Sequence, residues 1–408
     1  MEHVYASVDI GSDSIKVTVC ELYRGHLYLL AATSVPSKGV KKGLITEPKG
    51  AKESISKAIR KTEEMLGVKI KKVLVSIPNH FLNYKFVSGK CDVKGDIISG
   101  ADMANSYRDG IKKSILPNEE FVTAIPTVFK IDGKGIVKDP KKLPGSTLEG
   151  RALMVTSPKK NVYSTAGIIE EVGLELTDIC APSVSDLNMF KNEKFQRGIS
   201  AIINIGSDMT SLHLYNKGLP AATKIIGLGG KDIDKELCYK YRISLGDARK
   251  IKEKFASANI NASSNHEVYE AKNIEGKTVK ISQKKASKII IKKLEEILEC
   301  SKNELEDLTN KPILYIMVTG GVSNMADFNY LLKQIMPMAR VGKIELVGVR
   351  DNKYSTALGN IIYYLEMLKL NGKNYSMFSE DDMDRLSSPT SLNENTVLGK
   401  VFSYFFDE

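Results

Sequence analysis

A chain of 408 residues exceeds what a single hydrophobic core organises, so two or more packed domains are expected. Its 42% hydrophobic and 26% charged residues exclude a disordered chain, and no apolar run approaches the roughly 20 residues that cross a membrane. A net charge of +10 raises nucleic-acid binding, but the lysines lie in scattered pairs such as Lys41/Lys42, Lys112/Lys113 and Lys141/Lys142 without interleaved aromatics, so no nucleic-acid partner is expected.

Residues 1–6 contain Glu2 and lead directly into a strand-like run, which is not the pattern of a signal peptide and predicts a cytoplasmic protein. From Val4 to Cys20 the pattern reads strand, Gly/Ser/Asp turn, strand. A helix follows at about Pro48 to Leu66, then a buried strand from Lys72 to Ile77. Between about Phe86 and Pro158 glycines separate short strands and one helical stretch near Ala101 to Ile115, the pattern of an inserted subdomain. After a helix at Asn161 to Val172, the opening pattern recurs: Ile199 to Ile205, a turn at Gly206-Ser207-Asp208-Met209-Thr210, then Ser211 to Tyr215. A hairpin written twice predicts two similar lobes facing one another. A basic helix spans Ser282 to Glu306, and the strand Ile313 to Val318 runs into Thr319-Gly320-Gly321, with a helix expected from about Met325. A last helix covers about Ser355 to Leu370.

These turns carry the candidate chemistry. Asp9, Gly11, Ser12, Asp13 and Lys16 combine a glycine that permits close approach, donors for phosphate oxygens and a compact positive charge. Asp9 is suited to hold Mg²⁺ through its water shell. Asn204, Gly206, Ser207, Asp208 and Thr210 repeat the parts in looser form, and Gly320, Gly321 and Val322 add backbone amides at a helix start.

Residues 8–17, Val-Asp-Ile-Gly-Ser-Asp-Ser-Ile-Lys-Val, resemble the first phosphate motif of the actin/Hsp70 ATPase superfamily in the form seen in the FtsA family. Ile202 to Thr210 resembles the second phosphate motif, Met317 to Val322 the adenosine motif, and Tyr354 to Gly359 the late helix start. Leu143 to Gly150 is similar to the Gly-x-x-Leu-Glu stretch closing the FtsA-specific insert. The resemblance implies a bilobed, actin-like (ribonuclease H-like) α/β fold with these parts: lobe 1 at 1–85 and 159–197, its insert at 86–158, lobe 2 at 198–226 and 281–370, and a smaller subdomain at 227–280. It implies ATP and Mg²⁺ between the lobes, with Lys252 added to the binding residues, self-assembly into protofilaments, and the C-terminal peptide of FtsZ and later division proteins as partners. Asn204 replaces an aspartate common in the superfamily, Ala181 replaces the glutamate of Hsp70 relatives, and Arg249 stands where an adenosine-contacting glutamate is usual. These replacements predict nucleotide binding with weak or no hydrolysis. A PilM-like pilus scaffold and a sugar-kinase-like phosphotransferase are alternative readings of the same fold.

Beyond residue 370 the composition turns polar, predicting a flexible linker over 371–395. Thr396 then caps an expected amphipathic helix, 396–408, with Val397, Val401 and Phe405 in one row and Leu398, Phe402 and Phe406 in the next. Tethered apolar residues of this kind predict peripheral attachment to lipids on the inner face of the cell membrane at the division site, weak for one chain and firm for a filament.

Overall fold

Two five-stranded sheets with one topology dominate the computed structural model, which describes residues 3–387. In the first, strands His3–Ile10, Ser14–Tyr23 and His26–Pro36 form an antiparallel meander, and the parallel strands Lys72–Ser76 and Glu175–Cys180 extend it beyond the first strand. In the second, Ile199–Ile205, Thr210–Asn216 and Leu219–Ile226 form the meander, and Ile313–Thr319 and Ala339–Val341 extend it in the same way. The repeated hairpin is thus the visible edge of a repeated lobe.

Helices cover these sheets. Pro48–Leu66 starts with Pro at its first turn and ends at Gly67 with φ 73°, and it buries Ile55, Ala58, Ile59, Thr62 and Leu66 at helical spacing. Gln283–Asp307 buries Ile290, Leu294, Ile297, Leu298 and Leu305 against the second sheet, leaving its lysines on the outer face. The parallel strand Lys72–Ser76 is buried along Val73, Leu74 and Val75, as expected of a strand covered on both faces.

The insert is a separate four-stranded antiparallel sheet, ordered Asn83–Asp92, Thr147–Pro158, Glu119–Ile131 and Lys134–Val137, with helix Gly100–Ser114 on one face. Val87, Met103, Tyr107, Phe129 and Leu148 give it its own core. Its first strand begins at Asn83, three residues ahead of the expected boundary at Phe86.

Between the lobes, helix Pro182–Phe190 crosses helix Ser355–Asn371. Asn360 ties the crossing to the first sheet: its amide nitrogen donates to Ser7 Oγ and Ser76 Oγ at 2.9 Å each, and its oxygen accepts from Ser185 Oγ at 2.6 Å.

The chain after this helix departs from the expected linker over 371–395. Met377 N donates to Val4 O at 3.0 Å and Tyr5 Oη to Tyr375 O at 2.7 Å, which zips residues 375–377 onto the first strand. Met377, Phe378 and Leu386 are buried in the first lobe's core, and helix Glu380–Ser387 follows. The polar composition had masked a sparse apolar set, Tyr375, Met377, Phe378, Met383 and Leu386, that suffices to dock the segment. The rest of the proposed linker and the helix 396–408, with Val397, Leu398, Val401, Phe402, Phe405 and Phe406, lie outside the described residues.

His213, on the inner strand Thr210–Asn216, is fully buried with only Thr223 Oγ1 at 3.0 Å from its Nδ1. Burial pushes its pKa down from 6.5 to about 3. The unfolded chain therefore takes up a proton below 6.5 that the folded one refuses until about 3, so this residue's contribution to stability falls as pH drops through that window. Relative to His213→Leu, the wild-type protein should lose at most about 1.4 kcal/mol per pH unit there. Urea unfolding at pH 7, 6, 5 and 4 checks this; a pH-independent difference would contradict it.

Candidate functional site

The two hairpin turns are built to one pattern. Ile10 pairs with Ile15 and closes Gly11-Ser12-Asp13-Ser14, and Ile205 pairs with Thr210 and closes Gly206-Ser207-Asp208-Met209. In each, the glycine N–H donates to the carbonyl of the turn's last residue, at 3.2 Å to Ser14 and 3.0 Å to Met209. The correspondence makes Asn204 the counterpart of Asp9, and Ser211 that of Lys16. The first turn thus carries a charged pair where the second carries neutral polar groups.

Both turns border the same cleft. Its main cavity, about 560 Å³, is lined by Asp9, Asp13, Lys16, Asn204, Gly206, Ser207, Lys252, Gly320, Gly321 and Val322. A smaller cavity of about 130 Å³ shares several of these residues and adds Gly11, Ser12 and Asp208. Thr210 is the exception: it is buried, and its hydroxyl donates to Leu228 O at 2.8 Å. It steadies the entry to helix Gly230–Tyr241.

Backbone packing narrows the cleft floor. Gly230 N donates to Gly206 O at 2.9 Å and Lys231 N to Ser207 O at 2.8 Å, so the helix start docks on the second turn. A Cβ on Gly229 would lie 2.5 Å from Ser207 O, a contact only glycine permits. The α-helix expected from about Met325 begins at Phe328, so Gly320-Gly321 does not itself open it. Gly320 has φ 92°, and a single 3₁₀ turn Gly321–Asn324 follows. Ser323 N and Oγ both donate to Gly320 O, at 3.1 and 2.8 Å, which locks the tight turn instead. The adenosine-motif segment therefore offers turn amides rather than the dipole of a long helix.

Charges alternate around the opening. Lys16 Nζ contacts Asp9 Oδ2 at 2.9 Å. Arg249 bridges the lobes by donating to both oxygens of Asp13, at 2.8 and 2.5 Å. Burial pushes the Asp13 carboxyl up, but its hydrogen bonds and charge contact with Arg249, with Lys16 and Lys231 nearby, outweigh this and hold it below the usual carboxylate range. Lys252, buried, donates to Gly230 O at 3.1 Å and to Asp234 at 2.9 Å. Asp208 pairs with Lys231 at 2.8 Å.

Other residues at or behind the cleft carried little signal in the sequence, Arg249 standing out only as a departure from a motif and not as a partner of Asp13. Asp234 and Arg249 sit on helices whose charges look like solvated faces, and only folding brings Arg249 to Asp13. Asp186 lies among the apolar residues of Pro182–Phe190, and burial pushes its carboxyl up to about 6. The cleft as a whole can hold an elongated polyanion: glycine-bearing turns for close approach, hydroxyls to donate, and lysines from both lobes. Its volume falls within the range of nucleotide-sized ligand sites.

Two lobes of repeated topology around a polar cleft define a fold class, and solved structures share it. The chain is similar to the PilM of a PilM–PilN type IV pilus biogenesis complex, with TM-score 0.57 and 14% identity, covering 90% of this chain and 98% of that one. It is similar to MreB5 of Spiroplasma citri bound to ADP, with TM-score 0.53 and 14% identity, covering 90% and 98%. The fold is bilobed and actin-like. A family model described as cell division protein FtsA matches residues 201–359, and one described as the SHS2 domain inserted in FtsA matches residues 82–156. The FtsA of Bacillus subtilis (strain 168) is 30% identical over 379 residues, covering 91% of this chain and 85% of its own length. That of Streptococcus pneumoniae is 28% identical, covering 86% and 76%. The chain belongs to the FtsA family of cell division proteins.

Proposed function

We propose that this protein binds ATP with Mg²⁺ between its lobes, polymerises into actin-like protofilaments, and tethers FtsZ filaments to the cytoplasmic membrane. The observation that carries the reading is the pair of Gly-Ser-Asp turns facing one cleft in a chain of this family. Lys16, Ser12 and Ser207 would receive the phosphates, and Gly320, Gly321 and Val322 would pass beside the adenosine. Mg²⁺, when bound, neutralises phosphate charge and prefers a few carboxylates plus water, which suits Asp9 at the cleft floor.

Hydrolysis should be weak. Ala181, where relatives outside the family carry a glutamate, is fully buried and provides no base, and Asp186 close by has no exposed surface from which to reach a water. The amphipathic segment 396–408 would lie in the lipid surface, and the subdomain 227–280 would receive the FtsZ C-terminal peptide. Among the described residues no helix is long and apolar enough to cross a membrane.

Two experiments test the reading. A pulldown with an FtsZ C-terminal peptide in the presence of ATP should retain the protein, and absence of binding at tens of micromolar peptide would remove the tethering role. Deleting residues 397–408 should abolish flotation with anionic liposomes; unchanged flotation would place the membrane contact elsewhere in the chain.

A further inference from the structure

Asp186 has no exposed surface and no cation within ion-pair distance among the described residues. A buried carboxylate without a counter-ion is expensive to keep, and neutral donors offset only part of the cost. Here there are two: Asn204 Nδ2 donates to Oδ2 at 2.8 Å, and Thr356 Oγ1 donates to Oδ1 at 2.7 Å. Both partners line both cavities of the cleft. Asp186 therefore stands directly behind the cleft floor.

This arrangement has a directional consequence. An ionised carboxylate only accepts, so it turns the Asn204 amide nitrogen inward and its oxygen away. That oxygen points toward the Gly320 backbone, where an added Cβ would lie 2.6 Å from it. Thr356 likewise spends its proton on Asp186. The Asn204 amide oxygen is left as an acceptor, the form that suits a hydrated cation, while Thr356 Oγ1 also accepts from Asn204 Nδ2 at 3.4 Å. Asn204 is also the positional counterpart of Asp9, with a neutral amide on the second turn where the first has an acid.

We propose that Asp186 is a positioning residue for the cation that accompanies a bound nucleoside triphosphate, supplying from behind Asn204 the negative charge that Asn204 lacks. The proposal rests on the reading of the cleft as a nucleotide site.

The test measures ATP affinity of the full chain by calorimetry in Mg²⁺ and in EDTA, and takes the ratio. In the wild type Mg²⁺ should tighten binding by about tenfold or more, a coupling of ordinary size. Asp186→Asn, which keeps the shape and removes the charge, should lose most of that ratio. The exchange Asp186→Asn with Asn204→Asp, which returns a carboxylate to the strand, should restore it, an outcome a purely structural role for Asp186 does not produce. If the single variant fails to fold, the exchanged protein still decides: a ratio near one there overturns the proposal. So does an unchanged ratio in a folded Asp186→Asn. A wild type that binds no ATP in either condition overturns the nucleotide reading together with this one, whereas ATP binding with a ratio insensitive to Asp186 overturns this one alone.

Discussion

Lys16→Ala and Gly320→Asp should each weaken ATP binding by about a hundredfold or more in a fluorescent-nucleotide titration, for different reasons. Lys16 is the cation that follows the first turn, mostly enclosed and touching Asp9 at the cleft floor. Truncating it leaves the Asp9 carboxylate without its partner and facing the phosphates, so repulsion is added to the loss of attraction. Gly320 acts through shape. Its φ of 92° is strained for any side chain, and a Cβ there would lie 2.4 Å from Ile205 O and 2.6 Å from Asn204 Oδ1. Relief of that clash moves either the second turn or the adenosine-motif segment, and both border the cavity. Retained affinity in both variants would show that the nucleotide, if bound, sits elsewhere.

Gly359→Ala should destabilise the protein by about 3 kcal/mol, the upper range for overpacking a tight contact. Gly359 lies where helix Ser355–Asn371 crosses helix Pro182–Phe190, and an added Cβ would lie 2.1 Å from Ser185 O. The helices must part, which also pulls Asn360 from the serine hydroxyls it joins and leaves buried polar groups unpaired. Urea unfolding reads the effect directly. A midpoint unchanged from wild type would mean that the crossing tolerates separation and does not fix the lobes.

What was legible in the sequence was local and repeated. The Gly-Ser-Asp turns are flanked by alternating β-branched residues, so hairpin register follows from the strands themselves, and writing the unit twice exposed the two lobes. Thr210 belonged to the motif by sequence, yet its hydroxyl faces Leu228, because strand alternation turns it away from the turn's open side. Residues brought to or behind the cleft only through tertiary packing left little trace, Arg249 showing only as a departure from a motif. Asp186 is one acid in a short, largely buried helix, and Arg249 meets Asp13 across 236 positions of chain. The segment after residue 371 failed for the opposite reason: averaging over a polar stretch hid the few apolar side chains that dock it on the first strand.

For this cleft to work as proposed, both turns must hold one ligand. Amide hydrogen exchange of the wild-type protein, followed with and without ATP and Mg²⁺, measures this most directly. Residues 11–14 and 206–209 should gain protection together, over the same range of nucleotide concentration. Protection confined to one turn, or absent from both while ATP is shown to bind, would contradict it.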